Sequence, residues 1–172
     1  MQGTTGHGNP VRLTAAPRSS LMPYPCRMFQ TGTGSLRYEL VEAWEQLPAG
    51  WEHPDVAAVA TDSQGRVYVF ARCDHPVIVY DRDGHFLDSW GHDLFGHAHG
   101  IYIDADDHLY LVDDFDDTCW KCTTDGKVLL KLGTSGQASD TGYTGQTESI
   151  QRGGPPFNRP TNMVLGSNGS LY

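Results

Sequence analysis

Two histidines and one arginine are the side chains in this sequence whose type and position suggest chemistry. His97 and His99 stand two residues apart in FGHAHGIYID, just before a predicted strand, and alternate residues of an extended segment face the same side. Imidazole ligates zinc and titrates near neutral pH, so either histidine could act as a metal ligand or as an acid and base. Arg72, in VYVFARCDH, carries a permanent positive charge.

The elements that position these residues repeat along the chain. Asp62 and Tyr68 recur 42 positions later as Asp104 and Tyr110, and the match continues without a gap through residue 133. Each copy contains four short runs typical of strands, which in the first copy are VAAVATD, RVYVFAR, VIVYDRD and HFLDSWG. Turns with Gly, Asp or Asn separate the runs. A gap-free repeat of four strands predicts β-propeller blades rather than a β-sandwich, which has no need of such a repeat.

The three candidate residues depart from this repeat. The positions of His97, His99 and Arg72 are filled in the other copy by Asp55, Ala57 and Asp114, respectively. The scaffold therefore does not require histidine or arginine at these places. A histidine that departs from its own repeat beside the strand that lines the central channel indicates ligation or acid–base work.

The repeat divides the chain into segments with different predicted roles. In order these are a mobile leader without an assigned fold at 1–35, an orphan outer strand at 38–44, blades at 51–91 and 92–133, an insert loop at 134–156 and a truncated blade at 157–172. A closed propeller needs at least four blades, so we expect an incomplete all-β propeller of two full blades plus partial ones. The orphan strand would pair with strands beyond Tyr172. The insert is either a lid or a tolerated surface insertion.

Composition and charge exclude several classes of partner. The net charge of −9 disfavours non-specific nucleic-acid binding, which requires a basic face. No apolar run approaches the ~20 residues of a membrane-spanning helix. In the leader, the apolar runs at 13–16 and 21–22 are too short for the core of a signal peptide. We therefore expect a soluble protein that binds neither nucleic acid nor membrane, with no compartment assigned.

Four cysteines are present, and two of them form a C-x-x-C motif at Cys119 and Cys122. The motif aligns with Val77 and Tyr80, in a predicted strand. Residues three apart on a strand point to opposite faces, so this pair cannot hold one metal ion as a turn-borne motif does. We expect small, buried, unreactive side chains.

The acidic run DDFDD at 113–117 has the composition of a calcium site but not its spacing. It lacks the alternating ligands and the glycine of an EF-hand loop. A solvated turn is the expected structure.

The candidate residues also carry a resemblance to a known family. VYVFAR-x-DH around Arg72, AHGIYID around His99 and FNRPTNMVLGSNGSLY at the end are similar to motifs of the peptidyl-α-hydroxyglycine α-amidating lyases. The resemblance runs from about Leu36 to Tyr172. It implies NHL-type repeats that form a six-bladed propeller in the full-length protein, of which this chain is a truncated member.

The resemblance implies a role for several residues. In that family zinc is held by three histidines from successive blades, and His99 matches the first of them. A structural calcium ion takes backbone carbonyls from inner strands, at positions that Val59 and Ile101 match. Arg72 matches the active-site arginine, whereas His97 matches no family role. The family's active-site tyrosine, its other two zinc histidines and its calcium-binding aspartate match no residue of this chain.

The implied reaction cleaves the C–N bond of a peptidyl-α-hydroxyglycine and gives a peptide amide and glyoxylate. Zinc would act as a Lewis acid, a tyrosine as the base, and Arg72 would hold substrate charge. The implied partner is a peptide with a C-terminal α-hydroxyglycine or a similar small molecule. Because it lacks several of these residues, the chain by itself is expected to be inactive. The alternative is a non-catalytic NHL-repeat propeller that binds a protein or peptide partner.

Overall fold

The structure, a computed structural model, describes residues 30–172. Nearly all of its regular structure is β. The strands are β1 Gln30–Thr33, β2 Leu36–Glu39, β3 Val56–Thr61, β4 Val67–Ala71, β5 Val77–Tyr80, β6 Phe86–Trp90, β7 Ala98–Ile103, β8 Leu109–Asp113, β9 Thr118–Cys122 and β10 Val128–Leu132. One short 3-10 helix covers Thr147–Ser149. Among these residues no helix is long and apolar enough to cross a membrane.

The chain divides into two compact units, Met1–Trp44 and Glu45–Tyr172. In the first, β1 and β2 form an exposed antiparallel hairpin in which Gln30 pairs with Glu39 and Thr33 with Leu36. The strand expected at 38–44 is therefore found earlier, at Leu36–Glu39, and its partner is β1. The segment predicted as a leader, 1–35, includes β1, and its first 29 residues, with Cys26, lie outside the described part.

The second unit contains two four-stranded antiparallel sheets that follow chain order, β3-β4-β5-β6 and β7-β8-β9-β10. These are the two predicted blades, here called blade 1 and blade 2, and the predicted incomplete propeller is confirmed. The inner strand β7 lies against β3 and β4. A third repeat begins after the insert, where Leu165 pairs with Leu171 and the amides and carbonyls of Val164 and Tyr172 hydrogen-bond to each other at 2.9 Å.

An aspartate closes the first hairpin of each blade in the same way. In blade 1, Oδ1 of Asp62 accepts the amide N–H groups of Gln64 and Arg66 at 2.9 Å, and Oδ2 accepts the hydroxyl of Tyr68 at 3.0 Å. In blade 2, Asp104 accepts the amides of residues 106 and 108 and the hydroxyl of Tyr110 at equivalent distances. The carboxylate accepts turn amides that the strand pairing leaves without a partner. The aspartate recurs in both blades because it stabilises this turn.

The core lies between consecutive blades and not inside either sheet alone. One cluster joins Tyr68, Phe70, Val77 and Val79 of blade 1 to Ile101, Leu109, Leu111, Trp120 and Cys122 of blade 2. A second joins Tyr110, Val112 and Cys119 of blade 2 to Met163 of the third repeat. Alternate residues of β8 and β9 thus enter different clusters, as strand geometry requires.

The two cysteines of the C-x-x-C motif fall into different clusters. Cys119 packs toward the third repeat and Cys122 toward blade 1, and both are free and almost fully buried. Burial raises the pKa of each thiol to about 11, which keeps both protonated at neutral pH. The prediction of small, buried side chains that point to opposite faces of the strand is therefore confirmed.

Candidate functional site

His99 lies in a bulge at the start of β7. The pairing of β7 with β8 shifts by one residue between Ala98 and Gly100, so His99 has no partner on the neighbouring strand. Blade 1 has the same shift between Val56 and Ala58, with Ala57 in the bulge. Bulges turn a side chain away from the regular alternation and are frequent beside functional sites. The scaffold thus supplies an unusual position in both blades, and blade 2 fills it with an imidazole.

The ring of His99 is fixed by the third repeat. Its Nδ1 lies 2.9 Å from the carbonyl oxygen of Thr161. A carbonyl only accepts, so Nδ1 carries the proton, and the lone pair of the neutral ring is on Nε2. This is the usual preparation of a metal-binding histidine, in which a backbone carbonyl fixes the tautomer.

Gly100 allows the same contact. A Cβ at this position would stand 2.5 Å from the carbonyl oxygen of Thr161 and 3.0 Å from the side-chain oxygen of Asn162. No residue with a side chain fits without moving that backbone. The His-Gly pair of the sequence therefore has a packing reason in the close approach of the third repeat.

Arg72 connects the two blades through the peptide group that precedes His99. Its Nε donates to the carbonyl oxygen of Ala98 at 2.9 Å, and Nη1 donates to a carboxylate oxygen of Asp55 at 2.9 Å. The side chain is partly exposed and lines a cavity of about 240 Å³ together with Cys73, Phe95 and other neighbours. Arg72 thus contacts the residue that precedes His99 in the chain.

His97 belongs to a different network, centred on Asp114. Nδ1 of His97 lies 2.5 Å from Oδ1 of Asp114, and Arg159 of the third repeat donates to Oδ2 at 3.0 Å. Burial raises the pKa of Asp114, but the hydrogen bonds from His97 and Arg159 outweigh it and hold the pKa below its ordinary value. Both side chains also lie against Phe115, with the imidazole stacked at 3.8 Å and the guanidinium carbon at 4.3 Å from the ring centroid. His97 is therefore engaged by a carboxylate.

The acidic run at 113–117 is not the solvated turn that the sequence predicted. Asp113, Asp114 and Asp117 are buried. Asp113 accepts the amide N–H groups of Gly96, His97 and Asp116, and Asp117 accepts the amide of Arg159 at 2.7 Å. The prediction was wrong because short-range composition does not show that amides from distant segments converge on these carboxylates.

The strand register bears on the calcium positions Val59 and Ile101. Asp62 and Asp104 donate their amide N–H groups to the carbonyls of residues 66 and 108. Counting back along the ladders, Val59 and Ile101 fall at the non-hydrogen-bonded pairs with Val69 and Leu111. Backbone groups at such pairs point away from the neighbouring strand. Because β3 and β7 are edge strands, both carbonyls are directed toward the open inner edge, and calcium binding there remains a prediction.

Among the described residues, His99 stands at the one position that the resemblance assigns to a zinc ligand. His99 has a free Nε2, whereas His97 is held by Asp114. A zinc site needs at least three protein ligands, so these residues do not form one by themselves. One group in the described part has side-chain spacing that could suit a metal ion, namely Asp104, Asp106 and His108. These residues form a turn, in which Oδ1 of Asp104 accepts two backbone amides.

The insert encloses a second and larger cavity. Its volume is about 530 Å³, and residues of the insert face Asp114 and the start of the third repeat across it. Sequence reasoning missed Asp114, Arg159 and Thr161 as partners of the candidate histidines. The repeat did point to two of them, since Arg159 and Thr161 stand in the third repeat at the positions that His97 and His99 occupy in blade 2.

The sheets, their order and the inter-blade core define an all-β protein with an incomplete β-propeller architecture. No protein-family model matches the chain, and no curated protein matches it. Among solved structures, it matches one described as "Streptogramin B lyase structure", at 13% identity and a TM-score of 0.46. The match covers 76% of this chain and 53% of that chain, so this chain spans about half the length of that structure.

Proposed function

We propose that this chain is the part of a carbon–nitrogen lyase that carries the substrate-binding arginine and one zinc-binding histidine. The reaction is cleavage of a peptidyl-α-hydroxyglycine to a peptide amide and glyoxylate. The observation that carries the proposal is that the guanidinium of Arg72 hydrogen-bonds the peptide group between Ala98 and His99. Two residues that depart from their own repeats, and that match active-site positions of the resembling family, are thereby joined.

Arg72 retains the capacity to bind an anion. A guanidinium has five N–H donors, and the contacts to Ala98 and Asp55 use two of them. The remaining donors border the cavity of about 240 Å³. Their planar arrangement suits a carboxylate such as that of α-hydroxyglycine.

The reaction requires one proton to leave and one to arrive. The hydroxyl of the α-hydroxyglycine loses its proton, its oxygen forms the carbonyl of glyoxylate, and the C–N bond breaks. The amide nitrogen takes the bond's electron pair and a proton. Arg72 would hold the carboxylate beside the reacting carbon, so that this carbon is oriented toward His99.

Zinc and calcium belong to the proposal as cofactors. Zinc would take Nε2 of His99 and two ligands from outside the described residues, and calcium would take the carbonyls of Val59 and Ile101. The described residues provide too few ligands to hold zinc without further residues. The assignment of both ions to this chain therefore depends on the resemblance, on the tautomer of His99 and on the direction of the two carbonyls.

The test is glyoxylate release from a peptidyl-α-hydroxyglycine by the full-length protein and its variants. His99→Ala should lose bound zinc and activity together, as measured by metal analysis and by the glyoxylate assay. Arg72→Lys should keep zinc but lower kcat/KM by on the order of 100-fold, since the lysine cannot reproduce the bidentate geometry. His92→Ala, an exposed histidine in the same blade, should change neither quantity.

Two results would refute the proposal. One is a zinc-loaded wild type that releases no glyoxylate from any such peptide, which would favour the non-catalytic propeller that binds a peptide or protein. The other is full activity in both Arg72→Lys and His99→Ala.

A further inference from the structure

We propose that the cavity beneath the insert, residues 134–156, binds the side chain of the residue that precedes the α-hydroxyglycine of the substrate. It takes an apolar or aromatic side chain. This inference rests on the proposed function for the position of the reacting end of the peptide. Its test measures binding, so the two can fail separately.

The apolar part of the cavity wall comes from two segments. The insert contributes Tyr143, Ile150 and Pro156, and the start of the third repeat contributes Phe157 and Pro160. Ile150 is 52% exposed although the insert is otherwise polar, and it lines the cavity. A volume of about 530 Å³ lies within the usual range of sites for small ligands.

The charged residues of the wall already have partners. Arg159 is paired with Asp114, and Arg152 with Asp140. Each of these pairs is already neutral, so a charged substrate side chain would bring an uncompensated charge into the cavity, whereas an apolar side chain would bury surface without that cost. The lining therefore selects for apolar over charged side chains.

The insert is anchored, so the cavity is formed before any ligand binds. The amide of Ser139 donates to the carbonyl of Phe157 at 2.7 Å, and its hydroxyl donates to the carbonyl of Gly154 at 2.8 Å. The side-chain amide of Asn158 donates to the carbonyl of Ser139 and to the hydroxyl of Thr141. These contacts tie both ends of the insert to each other and to the third repeat. Binding then carries little cost of ordering a loop.

The cavity adjoins His99. Thr161 lines it, and the carbonyl of the same residue accepts the hydrogen bond from the imidazole. Neighbouring residues of a peptide have Cα atoms about 3.8 Å apart. If the α-hydroxyglycine lies at His99 and Arg72, the preceding residue is the one that can reach this wall.

The experiment is a calorimetric titration of the full-length protein with acetyl-Phe-Gly, acetyl-Ala-Gly and acetyl-Glu-Gly, which lack the reactive hydroxyl. Burial of the phenyl ring predicts that the Phe peptide binds at least about tenfold more tightly than the Ala peptide, and the Glu peptide no better than Ala. Ile150→Asp should remove the preference for Phe and leave the Kd of the Ala peptide within about twofold. Gly153→Leu should do the same by filling the cavity, because a Cβ at Gly153 meets no atom within 4 Å.

The matched control is Leu87→Asp. Leu87 is 48% exposed on the outer strand β6 and is not among the residues that line the cavity, so its substitution should keep the preference. Equal affinity for the three peptides, no binding of any of them, or an equal loss in Leu87→Asp would overturn the inference. Selective binding without glyoxylate release would refute only the proposed function, and glyoxylate release without selectivity would refute only the subsite.

Discussion

Blade 1 and blade 2 share their turns and bulges but differ in the side chains at the end where His99 lies. The aspartate turn at Asp62 recurs at Asp104 with the same three hydrogen bonds. The bulge at Ala57 recurs at His99. Where the blades agree, the shared residue satisfies backbone groups. Where they differ, the new side chain contacts the next repeat, as His99 contacts Thr161, so the shared scaffold and the candidate site can be told apart within one chain.

A second difference concerns the position of the acid in a side-chain pair. Blade 1 pairs the acid Asp55 before its first strand with Arg72 after its second. Blade 2 has His97 before its first strand and the acid Asp114 after its second. Asp114 then reaches Arg159 of the third repeat, much as Arg72 reaches the carbonyl of Ala98. Departure from the repeat is therefore not by itself a sign of catalysis, because both positions also link consecutive repeats.

The sharpest test of the comparison is Asp113, which stands where blade 1 has Ala71. Asp113→Ala removes the acceptor of three amide groups, those of Gly96, His97 and Asp116, in a fully buried site. We expect a loss of about 3 kcal/mol in the free energy of unfolding, measured by urea denaturation. Asp83→Ala, in an exposed turn, is the control and should leave the midpoint unchanged. An equally small effect of Asp113→Ala would mean that the amides find other partners.

Gly100 and Ala58 provide the next test, because they are equivalent positions of the two inner strands. Gly100→Ala forces the backbone of Thr161 to move, since the added Cβ would lie 2.5 Å from its carbonyl oxygen. We expect a loss of about 2 kcal/mol in the free energy of unfolding, together with weaker zinc binding, because the carbonyl that orients His99 is displaced. Ala58→Gly, the reciprocal change, should cost about 0.5–1 kcal/mol through backbone entropy alone and leave zinc binding unaltered. Equal zinc affinity in both variants would break the link between Gly100 and the site.

Much of the fold was predictable because its determinants are local and repeated. Strand alternation and turn residues give β3 to β10 nearly at their predicted bounds. The opposite orientation of Cys119 and Cys122 follows from their spacing alone. A 42-residue repeat without gaps confines the topology to consecutive antiparallel sheets, which the structure has.

The contacts of the site were less predictable because they join residues that are distant in sequence. The hydrogen bond from His99 to Thr161 spans 62 positions and that from Arg159 to Asp114 spans 45. Periodicity assigns each of these residues to a strand or a loop but does not show which carbonyl or carboxylate faces it. The same limit made the buried acids at 113–117 look like a solvated turn. The anchored insert was missed for this reason too, since its polar composition is that of an unattached loop.

The smallest expected effects come from the tyrosines that both blades share. They compare the same hydrogen bond in two different surroundings. Tyr68→Phe and Tyr110→Phe each remove a buried hydroxyl that donates to an aspartate. Each substitution should lower the free energy of unfolding by about 1 kcal/mol. Tyr110→Phe should cost more, because in the described part of the chain Oδ2 of Asp104 then retains Lys121 at 3.6 Å, whereas Oδ2 of Asp62 retains the closer Arg66 at 2.6 Å. The double variant should be additive if the blades fold as one cooperative unit with separate turns.

The pH dependence of these variants follows from the two aspartates. Burial raises the pKa of Asp62 and Asp104, but hydrogen bonds from backbone amides and the tyrosine hydroxyls outweigh it and lower both values. A carboxyl whose folded pKa is lowered stabilises the protein above its unfolded pKa, about 3.9, and that contribution is lost as the pH falls through the folded value. The difference between wild type and either variant should therefore be full at pH 7 and shrink below about pH 4. Urea midpoints at pH 7 and pH 3, with the exposed Tyr38→Phe as control, measure it. A difference that stays constant down to pH 3 would show that the hydroxyls stabilise the turns by packing and not through the ionised carboxylates.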